Sequence, residues 1–242
     1  MLLHFAKMNA GGNDFILLDD RRGKLALERE KIARLCDRHR GVGADGLLVA
    51  EAPRGEGEVR MRYFNADGGE AEMCGNGARC LAKFMGRQKV RMETAAGLVF
   101  AELAGENVRL SMSEPRGMQL GSVNFIHVGV PHGVVMVDDL DAVPVEERGA
   151  ALRRERDANV DFVQALDART LAIRTYERGV EGETLSCGTG AVAAALVFHA
   201  LTGAKSPVSV RTRGGDVLVV DFERGVTLTG AADFVFEGTI VI

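Results

Sequence analysis

Tryptophan is absent, tyrosine occurs only twice, and aromatic residues make up 5% of the chain. With 242 residues and 46% hydrophobic content the chain still has the material for a core of real size, as one large domain or two small ones. No apolar run is long enough to cross a bilayer: the most apolar stretch, residues 191–200, is broken by His199. The opening Met1-Leu2-Leu3-His4-Phe5-Ala6-Lys7 lacks the apolar core of a signal peptide. Positive charge is not in excess; the formal net charge is −4, which argues against nucleic acid and acidic membranes as partners. The four cysteines include no C-x-x-C pair and no His/Cys pair at zinc-finger spacing, so no structural metal is expected. These absences together predict a cytoplasmic protein with free thiols.

What is present is a doubled motif. Phe64-Asn65-Ala66-Asp67-Gly68 precedes Cys74-Gly75-Asn76-Gly77-Ala78-Arg79, and Tyr176-Glu177-Arg178-Gly179 precedes Cys187-Gly188-Thr189-Gly190-Ala191-Val192. Each reads as a strand, a polar loop and a cysteine that opens a helix. A thiol at a helix N-terminus lies at the positive end of the macrodipole, which favours thiolate. The neighbouring glycines allow close approach of a ligand. The first-turn N–H groups are suited to an anion.

The repetition extends further. Asn13-Asp14-Phe15-Ile16-Leu17-Leu18-Asp19-Asp20 has the outline of His132-Gly133-Val134-Val135-Met136-Val137-Asp138-Asp139. Asp45-Gly46-Leu47-Leu48-Val49 matches Asn159-Val160-Asp161-Phe162-Val163, and a strand entering a Gly hairpin follows each cysteine helix. Further amphipathic helices fit residues 28–39 and 145–156. The fold class is therefore α+β, in two pseudo-symmetric halves, residues 1–114 carrying Cys74 and residues 115–233 carrying Cys187. Each half is expected to be a curved, mostly antiparallel sheet wrapped around its central helix. The second cysteine helix is apolar nearly all round, as enclosure by a sheet requires. Without linkers or low-complexity segments the halves should pack tightly, leaving a cleft with one thiol on each wall.

Two such thiols fit one kind of chemistry. Inverting a stereocentre needs a base on one face and an acid on the other, so one group starts as thiolate and its partner as thiol. Coupling between close thiols disfavours a double charge. The backbone N–H groups at Gly75, Asn76, Gly188 and Thr189 form the natural cradle for a substrate carboxylate.

Asn13-Asp14-Phe15, Phe64-Asn65-x-Asp67-Gly68, Met73-Cys74-Gly75-Asn76-Gly77-x-Arg79-Cys80, Glu177-Arg178-Gly179 and Cys187-Gly188-Thr189-Gly190 together resemble the diaminopimelate epimerase family, in order along almost the whole chain. The resemblance implies a cofactor-independent two-thiol epimerase that interconverts LL- and meso-diaminopimelate for lysine and peptidoglycan supply, as a cytoplasmic homodimer. By matching position, Cys74 and Cys187 are the acid/base pair. Gly75, Asn76, Gly188 and Thr189 hold the reacting carboxylate. Asn13, Asn65, Asn159, Glu177 and Arg178 hold the rest of the substrate, and His132 and Glu177 orient or tune the thiols. The final strand, about residues 234–242, returns to the first half. The chain departs from the family pattern at Val130, where Gly-Asn-Pro-His is usual, at Ala10 and at Gly46; Val130 removes a hydrogen-bond donor.

Three other readings stay open: a two-thiol racemase of another amino acid on the same scaffold, a thiol redox switch, and a non-catalytic amino-acid-binding protein. The switch lacks a resolving C-x-x-C. Cys36 and Cys80, inside helical patterns, read as small buried hydrophobes.

Overall fold

A computed structural model describes residues 2–71 and 73–241. The chain divides into two compact units, residues 1–110 with 231–242, and residues 111–230. The last residue of the returning strand predicted above, Ile242, lies outside the described residues.

The first unit contains β1 (Leu2–Ala10), β2 (Asn13–Asp20), α1 (Arg29–Cys36), β3 (Gly46–Glu51), β4 (Val59–Asn65), β5 (Glu70–Ala71), α2 (Gly75–Met85), β6 (Lys89–Thr94), β7 (Gly97–Ala104) and β8 (Asn107–Ser111). Its strand order is β1-β2-β3-β4-β6-β7-β8, with the final strand Asp233–Val241 paired antiparallel outside β1 and β5 forming a hairpin arm on β4. Most pairings are antiparallel. The two parallel pairs, β2–β3 and β4–β6, are those whose connections pass through α1 and α2. A parallel return needs a long crossover, and a helix supplies it.

The second unit contains β9 (Arg116–Gln119), β10 (Asn124–Val128), β11 (Val130–Met136), α3 (Val145–Arg156), β12 (Asn159–Ala165), β13 (Thr170–Glu177), β14 (Gly182–Thr184), α4 (Gly188–Thr202), β15 (Val208–Arg211), β16 (Val217–Asp221) and β17 (Thr227–Ala231). The order β9-β10-β11-β12-β13-β15-β16-β17 repeats that of the first unit, with β14 as the hairpin arm. The parallel pairs again flank the helices, α3 between β11 and β12 and α4 between β13 and β15.

In each unit the sheet packs around the helix that follows the cysteine. α2 meets strands β1 to β4, β6 and β7; α4 meets β10 to β13, β15 and β16. β3 is buried along nearly its whole length, and its Leu47 and Val49 pack with Ile32, Leu35 and Cys36 of α1. That double coverage explains its unbroken apolar run, which alternation alone does not produce. α4 buries Ala191, Ala193, Ala194 and Ala195 completely beside Val192, Val197 and Phe198. The alanines let the backbone sit close to the strands. The larger side chains each contribute roughly 1.5–3 kcal/mol by leaving water.

Both cysteine helices begin at the glycine after the cysteine, so they are longer at the N-terminus than the alanine-rich cores at 78–85 and 191–198 indicate. Both end at a left-handed glycine, Gly86 at φ 63° and Gly203 at φ 75°, with Lys83 or His199 in the last turn. α3 carries Glu146 and Glu147 in its first turn and three arginines in its last, a charge order that follows the helix dipole.

Candidate active site

In the first unit Cys74 is the N-cap of α2, and its Sγ accepts the N–H of Gly77 at 3.5 Å. The helix ladder starts where Ala78 donates to the Cys74 carbonyl, so the N–H groups of Gly75 and Asn76 lie ahead of it. A Cβ built on Gly75 meets nothing within 4 Å, whereas Asn76 is buried and takes a bond from Arg79 Nη2 at 2.8 Å on its Oδ1. Asn13, at the start of β2, faces this turn. Its Oδ1 accepts from Cys74 Sγ at 3.8 Å and from Asn76 Nδ2 at 3.5 Å. Its own Nδ2 is held by Asp45 at 2.9 Å.

Behind Asn13 is an ionic frame. Arg38 bonds both oxygens of Asp14 and also reaches Asp45 at 2.7 Å, while Lys7 lies 2.7 Å from Asp14. Burial alone would raise the Asp14 pKa, but Arg38 and Lys7 outweigh it and hold the carboxyl well below the usual range. The sequence reading did not single out Lys7, Arg38 or Asp45. Their signal is two acids and two bases converging near one asparagine from different elements, visible only once the strands pair. Asn65 is exposed at the β4–β5 turn, where its N–H donates to Gly69 O at 2.9 Å.

In the second unit Cys187 is the N-cap of α4, only 7% exposed, with Thr189 Oγ1 at 3.5 Å from its Sγ. Position at a helix N-terminus led us to expect a thiol shifted toward thiolate. The structure reverses this for Cys187. Burial pushes it well above the ordinary thiol value, the Glu177 and Asp161 carboxylates add to that rise, and the bond from Thr189 offsets only part. Desolvation of a largely buried sulfur outweighs a dipole worth about 0.3–1 kcal/mol. Burial likewise raises Glu177 at the end of β13, against a lowering bond with Thr184.

His132 and Asp161 are both completely buried, with Nδ1 of the imidazole 2.7 Å from a carboxylate oxygen. Thr175 donates to the other oxygen of Asp161 at 2.7 Å. Asp161 was absent from the candidate residues; its signal was an acid amid the apolar strand Asn159-Val160-Asp161-Phe162-Val163, where a burial cost demands a partner. Asn159 is buried, accepts the Arg178 N–H at 2.8 Å and donates to Pro131 O at 3.5 Å, so it ties β11 to the end of β13. The Arg178 guanidinium is partly exposed and touches Asp157 through Nη1.

Comparison with known proteins adds identity to this geometry. The sequence profile of the family described as "Diaminopimelate epimerase" matches residues 5–118 and 124–235. The chain belongs to the diaminopimelate epimerase family. A relative called diaminopimelate epimerase from Aquifex aeolicus is 40% identical over 273 aligned positions, covering 98% of each chain. Another of that name from Aromatoleum aromaticum is 39% identical, covering 99% of both. Among solved structures, a phenazine biosynthesis protein of the PhzF family from Bacillus anthracis superposes with TM-score 0.75 at 17% identity, covering all of both chains. A hydroxyproline epimerase from Agrobacterium vitis gives TM-score 0.67 at 16% identity, covering 99% of this chain and 92% of its own. These structures establish the fold. Membership makes the protein an isomerase of the amino-acid epimerase class. Among the described residues no helix is long and apolar enough to cross a membrane.

Gly75 separates ligand approach from folding. Gly75→Ala has room for its methyl and should leave Tm unchanged or raise stability by about 0.4–1 kcal/mol. If the α2 N-terminus takes the substrate carboxylate, kcat/KM nonetheless falls. Unchanged kinetics would remove Gly75 from the cradle.

Proposed function

We propose that this protein interconverts LL- and meso-diaminopimelate without a cofactor, with Cys74 and Cys187 serving the two faces of one α-carbon. The observation that carries the proposal is that both cysteines cap the N-termini of the two duplicated helices, in a chain that is near-full-length kin to proteins called diaminopimelate epimerase. Thiolate at one cysteine removes the α-proton and the thiol at the other delivers its own proton to the opposite face. Carbon keeps its electron pair throughout and no electrons are exchanged. The product leaves the two sulfurs with exchanged protonation states, so the enzyme is set for the reverse substrate until solvent exchange restores it. The buried thiol at Cys187 supports its role as the proton donor toward the first substrate isomer, with Cys74, half-buried and bonded to Gly77 N–H, as the base. Helix first-turn N–H groups of Gly75, Asn76, Gly188 and Thr189 stabilise the charge that develops on the substrate carboxylate. Glu177 and His132 orient and tune Cys187. Asn13 orients Cys74, and Asn65, Asn159 and Arg178 complete the substrate contacts.

This activity supplies meso-diaminopimelate for peptidoglycan and lysine synthesis, a cytoplasmic role. A homodimer fits the apolar side chains that the final strand exposes, Phe234, Val235 and Phe236. A second reading, racemisation of another amino acid by the same thiol pair, is favoured by Val130, an apolar residue where the family usually has an asparagine. The two readings separate when purified protein is supplied with LL-diaminopimelate and a panel of neutral and proline-like amino acids. Formation of meso-diaminopimelate and no racemisation of the others is the expected result; inertness toward diaminopimelate with turnover of another amino acid selects the second reading.

Arg178 provides a finer check. Its planar guanidinium suits the carboxylate that does not react. Arg178→Lys keeps the charge and loses the fork, and kcat/KM for diaminopimelate should fall by the equivalent of roughly 1.5–3 kcal/mol. Amino acids without a distal carboxylate, where they react at all, should be affected much less.

A further inference from the structure

Asp161 is the one buried acid of the second unit that the proposed chemistry leaves without a task. It lies in the middle of β12, completely buried, with Thr175 donating to one oxygen and His132 Nδ1 bonded to the other, each at 2.7 Å. A Cβ placed on Gly190, in the first turn of α4, would lie 2.4 Å from Asp161 Oδ1 and 3.3 Å from Cys187 Sγ. The carboxylate and the sulfur are therefore no farther apart than about 5.7 Å, the sum of those two distances. A charge at that range acts strongly where both partners are dry.

The other nitrogen of His132, Nε2, is buried and has no hydrogen-bond partner. In an imidazolium that position would be an orphaned N–H, the costlier of the two ways to leave it unpaired. With the proton on Nδ1 and donated to Asp161, the orphan is instead a lone pair, that is, a base held ready.

The structure assigns Asp161 as a positioning residue for the reaction: its bond to Nδ1 fixes the His132 tautomer so that Nε2 is the basic nitrogen, and its charge beside the first turn of α4 opposes a second negative charge at Cys187. This inference rests on the two-thiol reading. Thr175 holds the carboxylate in place, so that three strands and one helix share the arrangement: Thr175 from β13, Asp161 from β12, His132 from β11 and Cys187 before α4. The remaining ionisable groups facing it are Glu177 at the end of β13, which acts on Cys187 in the same sense as Asp161, and His127 on β10, whose surroundings also include Arg116 and Arg178.

The test uses the full chain without substrate. Long-range nitrogen–proton NMR on the wild-type protein labelled at histidine should show His132 neutral with its proton on Nδ1; a proton on Nε2 overturns the assignment whatever any variant does. In Asp161→Asn the midpoint of the pH dependence of Cys187 alkylation, read by peptide mapping, should move down by roughly one pH unit or more, the size expected for losing a charge within about 6 Å. In the same variant kcat should fall by roughly 10- to 100-fold, the usual cost of removing a supporting partner, with KM little changed. A folded Asp161→Asn with an unmoved midpoint overturns the electrostatic half of the inference. If that variant does not fold, the wild-type spectrum still decides the tautomer, and Thr175→Val should lower kcat while retaining the charge. None of the substrate-free readouts depends on which amino acid is turned over. Survival of full activity in Cys74→Ala would sink the two-thiol reading while leaving these measurements to stand or fall alone.

Discussion

Cys74→Ala and Cys187→Ala each lose epimerisation by a factor of about 10²–10⁴ or more, while the protein stays folded. The loss follows from chemistry that needs a proton acceptor and a proton donor at once, and alanine is neither. Folding should survive because each cysteine caps a helix N-terminus, so alanine removes one sulfur at the end of the helix and leaves its packed face intact. Cys36→Ala and Cys80→Ala should behave in the opposite way. Both thiols are buried, and burial raises their pKa, to about 11 for Cys36. They are poor nucleophiles and ordinary packing groups, so their loss should lower Tm by a few degrees and leave kcat largely intact. Steady-state kinetics and thermal melts on the four variants separate the two roles. Full activity in either Cys74→Ala or Cys187→Ala contradicts the assignment.

Gly190→Ala should be the most disruptive single methyl in the second unit's site. The added carbon would lie 2.4 Å from Asp161 Oδ1 and 3.1 Å from its Cγ. The obstacle is a completely buried carboxylate already bonded to His132 and Thr175, so it has no free direction in which to retreat. Either the first turn of α4 shifts or Asp161 gives up a bond, and a buried charge that loses a partner costs about 3–5 kcal/mol. The expected outcome is a Tm lowered by several degrees together with near-complete loss of activity. Gly75→Ala, at the residue directly after the other cysteine, has open space and should keep its Tm. Chemical denaturation of the two variants side by side tests the contrast; equal stability of Gly190→Ala and wild type would mean that the contact relaxes at little cost.

The repetition of segments in the two units was legible because the doubled Cys-Gly motif anchors an alignment of apolar segments on either side of it. The sequence alone also indicated a strand, a polar loop and a helix at Cys74 and Cys187. It was less informative about parallel pairing, because β3 and β12 are buried on both faces and so lack a simple alternation of apolar and polar residues. It also misjudged the Cys187 thiol. A helix N-terminus is visible in a motif, but the burial that overrides it depends on strands far away in sequence. The ionic frame of Lys7, Asp14, Arg38 and Asp45 and the Thr175–Asp161–His132 group were missed for the same reason: their members come from separate elements and meet only when the sheet forms. Asp20 is a smaller case. An acid at a strand end reads as solvated, yet it is buried and accepts the N–H groups of Lys24 and Leu25.

The central claim is that two groups, not one, move the proton. Its most direct test is to run the wild-type reaction with LL-diaminopimelate in D2O and follow the α-position of both isomers at early times. With a separate acid, the new isomer takes its hydrogen from a sulfur equilibrated with solvent. The account therefore predicts meso product carrying deuterium at the inverted centre while unreacted LL substrate still carries protium. Product that retains the substrate's own α-proton would show one base acting on both faces and would contradict the account.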